Sequence, residues 1–223
     1  RDLHYHSMGN SLTIDPQFIN LLISRTADCI ETNKDLLTEL DSNIGDADHG
    51  INMSRGFQAI MGISSELSQL KFGEVLKKAG MTMLTKVGGA SGPLYGSLFL
   101  GMSKCAPEEG IDLKELTKML QAGIADVKKR GKSDIGEKTM LDVLAPVLSQ
   151  LDKEANNFHS KEQLLENIVK QAEEGLELTR QMEATKGRAS FLGKRSIGHL
   201  DPGAMSSCLL IKSICEMFNR KQG

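Results

Sequence analysis

Stretch after stretch of this chain carries apolar residues with a period near 3.6, and none alternates with a period of two. The clearest stripes are Leu113/Leu116/Leu120/Ile124/Val127, Met140/Leu144/Val147/Leu148/Leu151 and Leu165/Ile168/Val169/Ala172/Leu176. Residues so spaced share one face of a helix, whereas strand side chains alternate between faces. Helical segments are therefore expected at about 50–67, 72–87, 92–105, 112–130, 138–156, 160–185 and 202–219. A first helix opens at Asp15-Pro16, where proline suits the first turn, and carries Phe18, Leu21, Leu22, Arg25 and Cys29. A short second piece runs through Leu36, Leu37 and Leu40 and stops at Asp41-Ser42-Asn43. The expected fold class is all-α, with about eight helices.

Composition supports this reading. Aromatic residues make up 4% of the 223, with no Trp, so the core must come from aliphatic residues and the eleven Met. Strand-rich domains favour aromatic and β-branched residues instead. A formal net charge of -2 argues against direct nucleic-acid binding. No apolar run reaches the roughly 18 residues of a membrane span. Cys29, Cys105, Cys208 and Cys215 are dispersed, without metal-ligand or disulfide spacing, and a reducing cytoplasm is the expected setting. Cys208 and Cys215 lie seven apart and read as small core residues of one helix. The expected organisation is a loose arm over 1–14, partly foreign ahead of Met8, and one domain over 15–223. His4 and His6 read as part of that arm rather than as metal ligands.

Three connections are denser in glycine and polar residues than a helix hairpin requires: Asp41–Asn52, Val87–Gly96 and Gly187–Ser207. The first places Asp41, Asp46 and Asp48 close together, with Gly45 and Gly50 between and beyond them. Carboxylates so crowded call for a cation, and oxygen donors on a loop suit Mg²⁺ or Ca²⁺. An EF-hand is excluded, because Phe57 stands where its closing Glu would be. The bland alternative is a helix-capping loop with solvated carboxylates. His49-Gly50-Ile51-Asn52 leads straight into a helix, whose free N–H groups favour an anion such as phosphate. There His49 either donates to a phosphate or caps the helix.

The second connection, Gly88-Gly89-Ala90-Ser91-Gly92-Pro93, opens another helix and is either a tight turn or a second phosphate cradle. It is no nucleophile elbow, since Pro93 replaces the last glycine. In the third, Arg188 suits bidentate phosphate contact, and Asp201-Pro202-Gly203 is turn chemistry ahead of the last helix. Gly131-Lys132-Ser133 ends like a phosphate-binding P-loop, but Asp126 stands where the first glycine should be. Lys128-Lys129-Arg130 reads as a solvated helix end.

The strings IGDADHGIN, GGASGPLYG, GEKTMLD and GRASFLGKRSIGHLDPGAMSS, spread from Leu40 to Ser207, resemble the nucleotide-binding L subunit of dihydroxyacetone kinases. The resemblance implies an antiparallel eight-helix barrel with nucleotide and metals bound by loops at one end. It implies Asp41, Asp46 and Asp48 as ligands of two Mg²⁺ ions. It places His49, Gly50, Ile51, Asn52, Ala90, Ser91, Gly131, Met140, Arg188, Asp201, Pro202 and Gly203 around ADP or ATP, with Leu94 and Thr139 as neighbours. His49, Ser91 and Arg188 would position the phosphoryl group, and no residue stands out as a chemical catalyst. The partners it implies are a K subunit holding dihydroxyacetone, a phosphotransferase-system M subunit, a transcription regulator in some members, and a second copy in a homodimer.

Three arrangements stay open within the resemblance. The first is a free subunit that keeps ADP and is recharged at the expense of phosphoenolpyruvate. The second is a domain fused to its K partner that exchanges ATP. The third is the nucleotide domain of a fatty acid kinase. The chain's length without a K-like portion favours the first. A nucleotide-loaded module that only binds a regulator is the non-enzymatic alternative.

Overall fold

The computed structural model describes residues 11–219. His4, His6 and most of the expected arm lie outside them. The helices are α1 (Pro16–Thr32), α2 (Lys34–Ile44), α3 (His49–Gly62), the short α4 (Ser64–Leu67), α5 (Phe72–Lys86), α6 (Ser91–Ser103), α7 (Leu113–Gly131), α8 (Leu141–Asn156), α9 (Lys161–Leu178) and α10 (Pro202–Asn219). Two 3₁₀ segments, Thr179–Gln181 and Arg188–Ser196, lie between α9 and α10. Among the described residues there is no strand. One isolated bridge pairs Leu12 with Ile111 through two 2.8 Å hydrogen bonds, tying the end of the expected arm to the domain.

The ends of these helices are written locally. Asp15 accepts from the Phe18 N–H at 2.7 Å ahead of Pro16, and Asp112 and Glu115 close a reciprocal capping box on α7. Lys128, Lys129 and Arg130 fall in the last turn of α7, where cations offset the helix dipole. Pro146 sits inside α8 without breaking it. Lacking an N–H, it cannot donate to the Asp142 carbonyl one turn back. Gly175 of α9 packs against that same oxygen, so close that a Cβ there would lie 2.3 Å from it.

Packing follows the chain from α5 to α10, each helix against the next. Helix α10 then meets α1, α1 meets α3, and α3 meets α5, closing a circuit of eight helices, while α2 lies against α3 and α10. Ile30, Leu37, Met53, Met83, Leu141 and Val143 are completely buried in the shared core. The expected use of Met in place of aromatics is thus met, each such side chain contributing about 1.5–3 kcal/mol on burial. Cys208 and Cys215 are buried in that core as free thiols. No helix among the described residues is long and apolar enough to cross a membrane.

Several local expectations change, and the segment expected at 50–67 is split into α3 and α4. Helix α2 continues to Ile44, so Asp41 lies in its last turn rather than at its stop. The segment expected at 160–185 ends as α-helix at Leu178, and the connection expected as loop carries the 3₁₀ segment Arg188–Ser196, kinked at Gly193 (φ +54°).

Candidate phosphate and metal site

The last turn of α2 and the first turn of α3 are joined through one carboxylate. Asp41 Oδ2 accepts from the backbone N–H of Asp48 at 2.8 Å and of His49 at 3.0 Å, capping α3 from another helix. The tight passage depends on two glycines. A Cβ on Gly45 would lie 2.1 Å from Asp41 Oδ1, and one on Gly50 would lie 2.0 Å from the Lys34 carbonyl oxygen. Ala47 between them takes a left-handed conformation (φ +61°).

This folding gathers Asp41, Asp46 and Asp48, which each offer one carboxylate oxygen within 4.8 Å of the others. Burial raises the Asp48 pKa above its ordinary value, the charge of Asp46 adds to the rise, and a hydrogen bond from Asn52 opposes it. An all-oxygen set with mutually repelling charges fits a hard divalent cation. The cation already present is Arg188, whose Nε lies 2.7 Å from Asp46 Oδ2 on an exposed side chain. Gly89 (φ +65°) brings the α5–α6 connection beside Asp48 and Asn52.

His49 is buried, and burial pushes its pKa down to about 4, so the ring is neutral near pH 7. Both ring nitrogens are engaged: Nδ1 lies 2.8 Å from Ser91 Oγ, and Nε2 lies 2.9 Å from Ser206 Oγ. The imidazole thus bridges Ser91, the first residue of α6, and Ser206 of α10.

The remaining expected residues gather at the starts of α6, α8 and α10. Leu94, one turn along α6 from Ser91, lies against Gly131 at the end of α7. Met140 is buried ahead of α8, with its backbone beside Gly203. Asp201 caps α10 by accepting from the Ala204 N–H at 2.8 Å, with Pro202 buried behind it. Burial pushes the Asp201 carboxyl up to about 7, against the pull of Lys138. Ala90 stands just ahead of α6, Thr139 donates its N–H to Asp142 Oδ2 at 2.8 Å, and Ile51 is exposed on the first turn of α3.

Four residues that lie inside the motif strings but were not expected at the site hold this end together. Lys138, buried and left-handed (φ +61°), donates its ammonium to the carbonyls of Thr179 (2.5 Å) and His199. Buried Tyr95 lies 2.7 Å from Ser206 Oγ and 2.8 Å from Ser207 Oγ. A separate concavity of about 970 Å³ lies between α5, α6 and α7, lined by Lys71, Lys104 and Glu108 among others. The Asp triad is not part of it.

Residues 43–216 match the DAK2 domain family. The chain is 46% identical over 205 residues to the Listeria innocua PEP-dependent dihydroxyacetone kinase 1, ADP-binding subunit DhaL, covering 92% of this chain and 98% of that one. It is 41% identical over 199 residues to the Escherichia coli PEP-dependent dihydroxyacetone kinase, ADP-binding subunit DhaL, covering 89% and 94%. In fold it is similar to the dihydroxyacetone kinase of C. freundii, solved with AMP-PNP and Mg²⁺, with a TM-score of 0.71 at 20% identity over 97% of this chain and 37% of that one. The motifs at the helix ends and these near-full-length likenesses agree: the chain belongs to the DAK2-domain family, among the DhaL subunits of dihydroxyacetone kinases.

Proposed function

We propose that the chain is the ADP- and Mg²⁺-binding subunit of a phosphoenolpyruvate-dependent dihydroxyacetone kinase. In this reading it takes a phosphoryl group from a phosphotransferase-system M subunit and passes it to dihydroxyacetone on a K subunit. The observation that carries the proposal is the junction of α2 and α3, where an oxygen-only triad sits against a helix start beside the Ser91 hydroxyl. Such a junction suits a polyphosphate, with metal on one side and N–H donors on the other.

In detail, Asp41, Asp46 and Asp48 hold two Mg²⁺, which when bound neutralise phosphate charge and orient its oxygens. The backbone of the α3 start, from His49 to Asn52, faces the phosphates together with Ala90 and Ser91. Arg188, now paired with Asp46, would offset phosphate charge where metal ions balance that carboxylate. Gly131, Leu94, Met140 and Asp201 to Gly203 line the remainder of the nucleotide pocket. The residues do no covalent chemistry: they position and offset charge. In this reading the ketone's covalent anchor belongs to the K subunit, and the chain works with its partners. Its four free cysteines suit a cytoplasmic setting.

The test is reconstitution. The chain with K and M subunits, phosphoenolpyruvate, Mg²⁺ and dihydroxyacetone should form dihydroxyacetone phosphate, and each component should be indispensable. Turnover of dihydroxyacetone and ATP by the purified chain alone would contradict the proposal.

A further inference from the structure

His49, the buried imidazole among the described residues, is one link in a longer chain of polar groups. Ser207 Oγ, Tyr95 Oη, Ser206 Oγ, His49 and Ser91 Oγ follow one another at 2.8, 2.7, 2.9 and 2.8 Å. All five are buried, with exposures of 2%, 2%, 0%, 8% and 9%. The groups come from α10, α6 and α3, so the chain also laces together three helix starts at the candidate site.

Each hydroxyl has one hydrogen, and so does the neutral ring. Two self-consistent directions follow. In the outward direction Ser207 donates to Tyr95, Tyr95 to Ser206 and Ser206 to His49 Nε2. His49 Nδ1–H then donates to Ser91 Oγ, leaving the Ser91 hydrogen free for an outside acceptor. In the inward direction Ser91 donates to Nδ1, and Nε2–H donates to Ser206. The Ser206 hydrogen then goes either to the Gly203 carbonyl at 3.1 Å or to Tyr95 Oη at 2.7 Å, with Tyr95 donating on to Ser207 in the second case. Aligned hydrogen bonds polarise one another, and an anion beside Ser91 favours the direction that ends in a donor.

We propose that these five groups form a one-way hydrogen-bond relay whose terminal donor is the Ser91 hydroxyl, and that Tyr95 and Ser206 are positioning residues for phosphate recognition. The proposal rests on the nucleotide reading above. It assigns His49 a role through its tautomer rather than through direct contact with phosphate. The hydroxyl of Tyr95 acts two links away from the ligand.

The test uses the full chain with ring-¹⁵N-labelled histidine, ADP and Mg²⁺. Long-range ¹H–¹⁵N spectra distinguish Nδ1–H from Nε2–H. The loaded wild type should show the Nδ1–H tautomer at His49. Ser206→Ala should lose that single tautomer and bind ADP–Mg²⁺ about tenfold more weakly, while Tyr95→Phe, which keeps the ring's shape, should weaken binding severalfold. Circular dichroism should show both variants folded. If Ser206→Ala does not fold, the wild-type tautomer and Tyr95→Phe still decide. Nε2–H in the loaded wild type, or unchanged affinity and tautomer in Tyr95→Phe, would overturn the relay while leaving the nucleotide site standing. A wild type that binds no ADP–Mg²⁺ would overturn both.

Discussion

Arg188 Nε lies 2.7 Å from Asp46 Oδ2, joining the 3₁₀ segment before α10 to the acidic connection between α2 and α3. The pair is exposed, so it contributes little to stability, under about 1 kcal/mol. Its meaning is electrostatic: a guanidinium occupies the outermost carboxylate of a triad that suits divalent cations. Asp46→Asn should leave the melting temperature within a degree or two, while Mg²⁺-dependent nucleotide retention is lost. Calorimetric titration with ADP checks this, with and without Mg²⁺. Retention equal to wild type would remove Asp46 from the metal site.

The close approach of α2 and α3 gives a steric prediction. A Cβ on Gly50 would lie 2.0 Å from the Lys34 carbonyl and 2.4 Å from Thr38 Oγ1, and neither the backbone nor a buried helix start can yield cheaply. Gly50→Ala should cost about 1–3 kcal/mol, read from denaturant unfolding. Because the same shift displaces His49, nucleotide affinity should fall with it.

Lys138 predicts a different kind of loss. Its ammonium satisfies two carbonyls on the segment that carries Asp201. Lys138→Met leaves the His199 carbonyl without that donor and the Thr179 carbonyl with only the Met182 N–H at 3.2 Å, at a total of about 1–3 kcal/mol. Unfolding by urea should show the loss, and hydrogen exchange should place the loosened region at 179–201. A variant as stable as wild type would mean those carbonyls find other donors.

Asp201 carries the pH dependence. Its carboxyl, at about 7 when folded against 3.8 ordinarily, favours the folded state in its protonated form. That contribution is fully present below about 3.8 and is lost as pH rises through about 7. Asp201→Asn keeps a cap for α10 without the charge. Relative to wild type its melting temperature should rise more at pH 8 than at pH 5. An equal difference at both values would contradict the account.

The all-α class and the three glycine-rich connections were legible because periodicity and glycine density are local properties of the chain. Asp41, Asp46 and Asp48 were legible for the same reason, lying within one short stretch. Other features depend on packing. Asp41 lies in the last turn of α2, from which its carboxylate caps α3 across the junction, a contact no linear pattern reveals. Arg188 was expected as a phosphate partner, and its ion pair with Asp46 appears only when the two segments meet. Tyr95, Ser206 and Ser207 read as ordinary helix residues until the fold places them around His49. Lys138 falls at the start of the helical segment expected over 138–156, but the helix begins only at Leu141, and Lys138 is left-handed and buried ahead of it.

The central claim is that the α2–α3 junction holds a nucleotide through Mg²⁺. The most direct measurement is the ultraviolet spectrum of the freshly purified chain, with mass identification of whatever denaturation releases. With no Trp and two Tyr, the protein absorbs little, so one bound adenine dominates the spectrum. The account predicts stoichiometric ADP that survives gel filtration in Mg²⁺ and is released by a chelator. A chain that carries no nucleotide and takes up none when ADP and Mg²⁺ are supplied would contradict it.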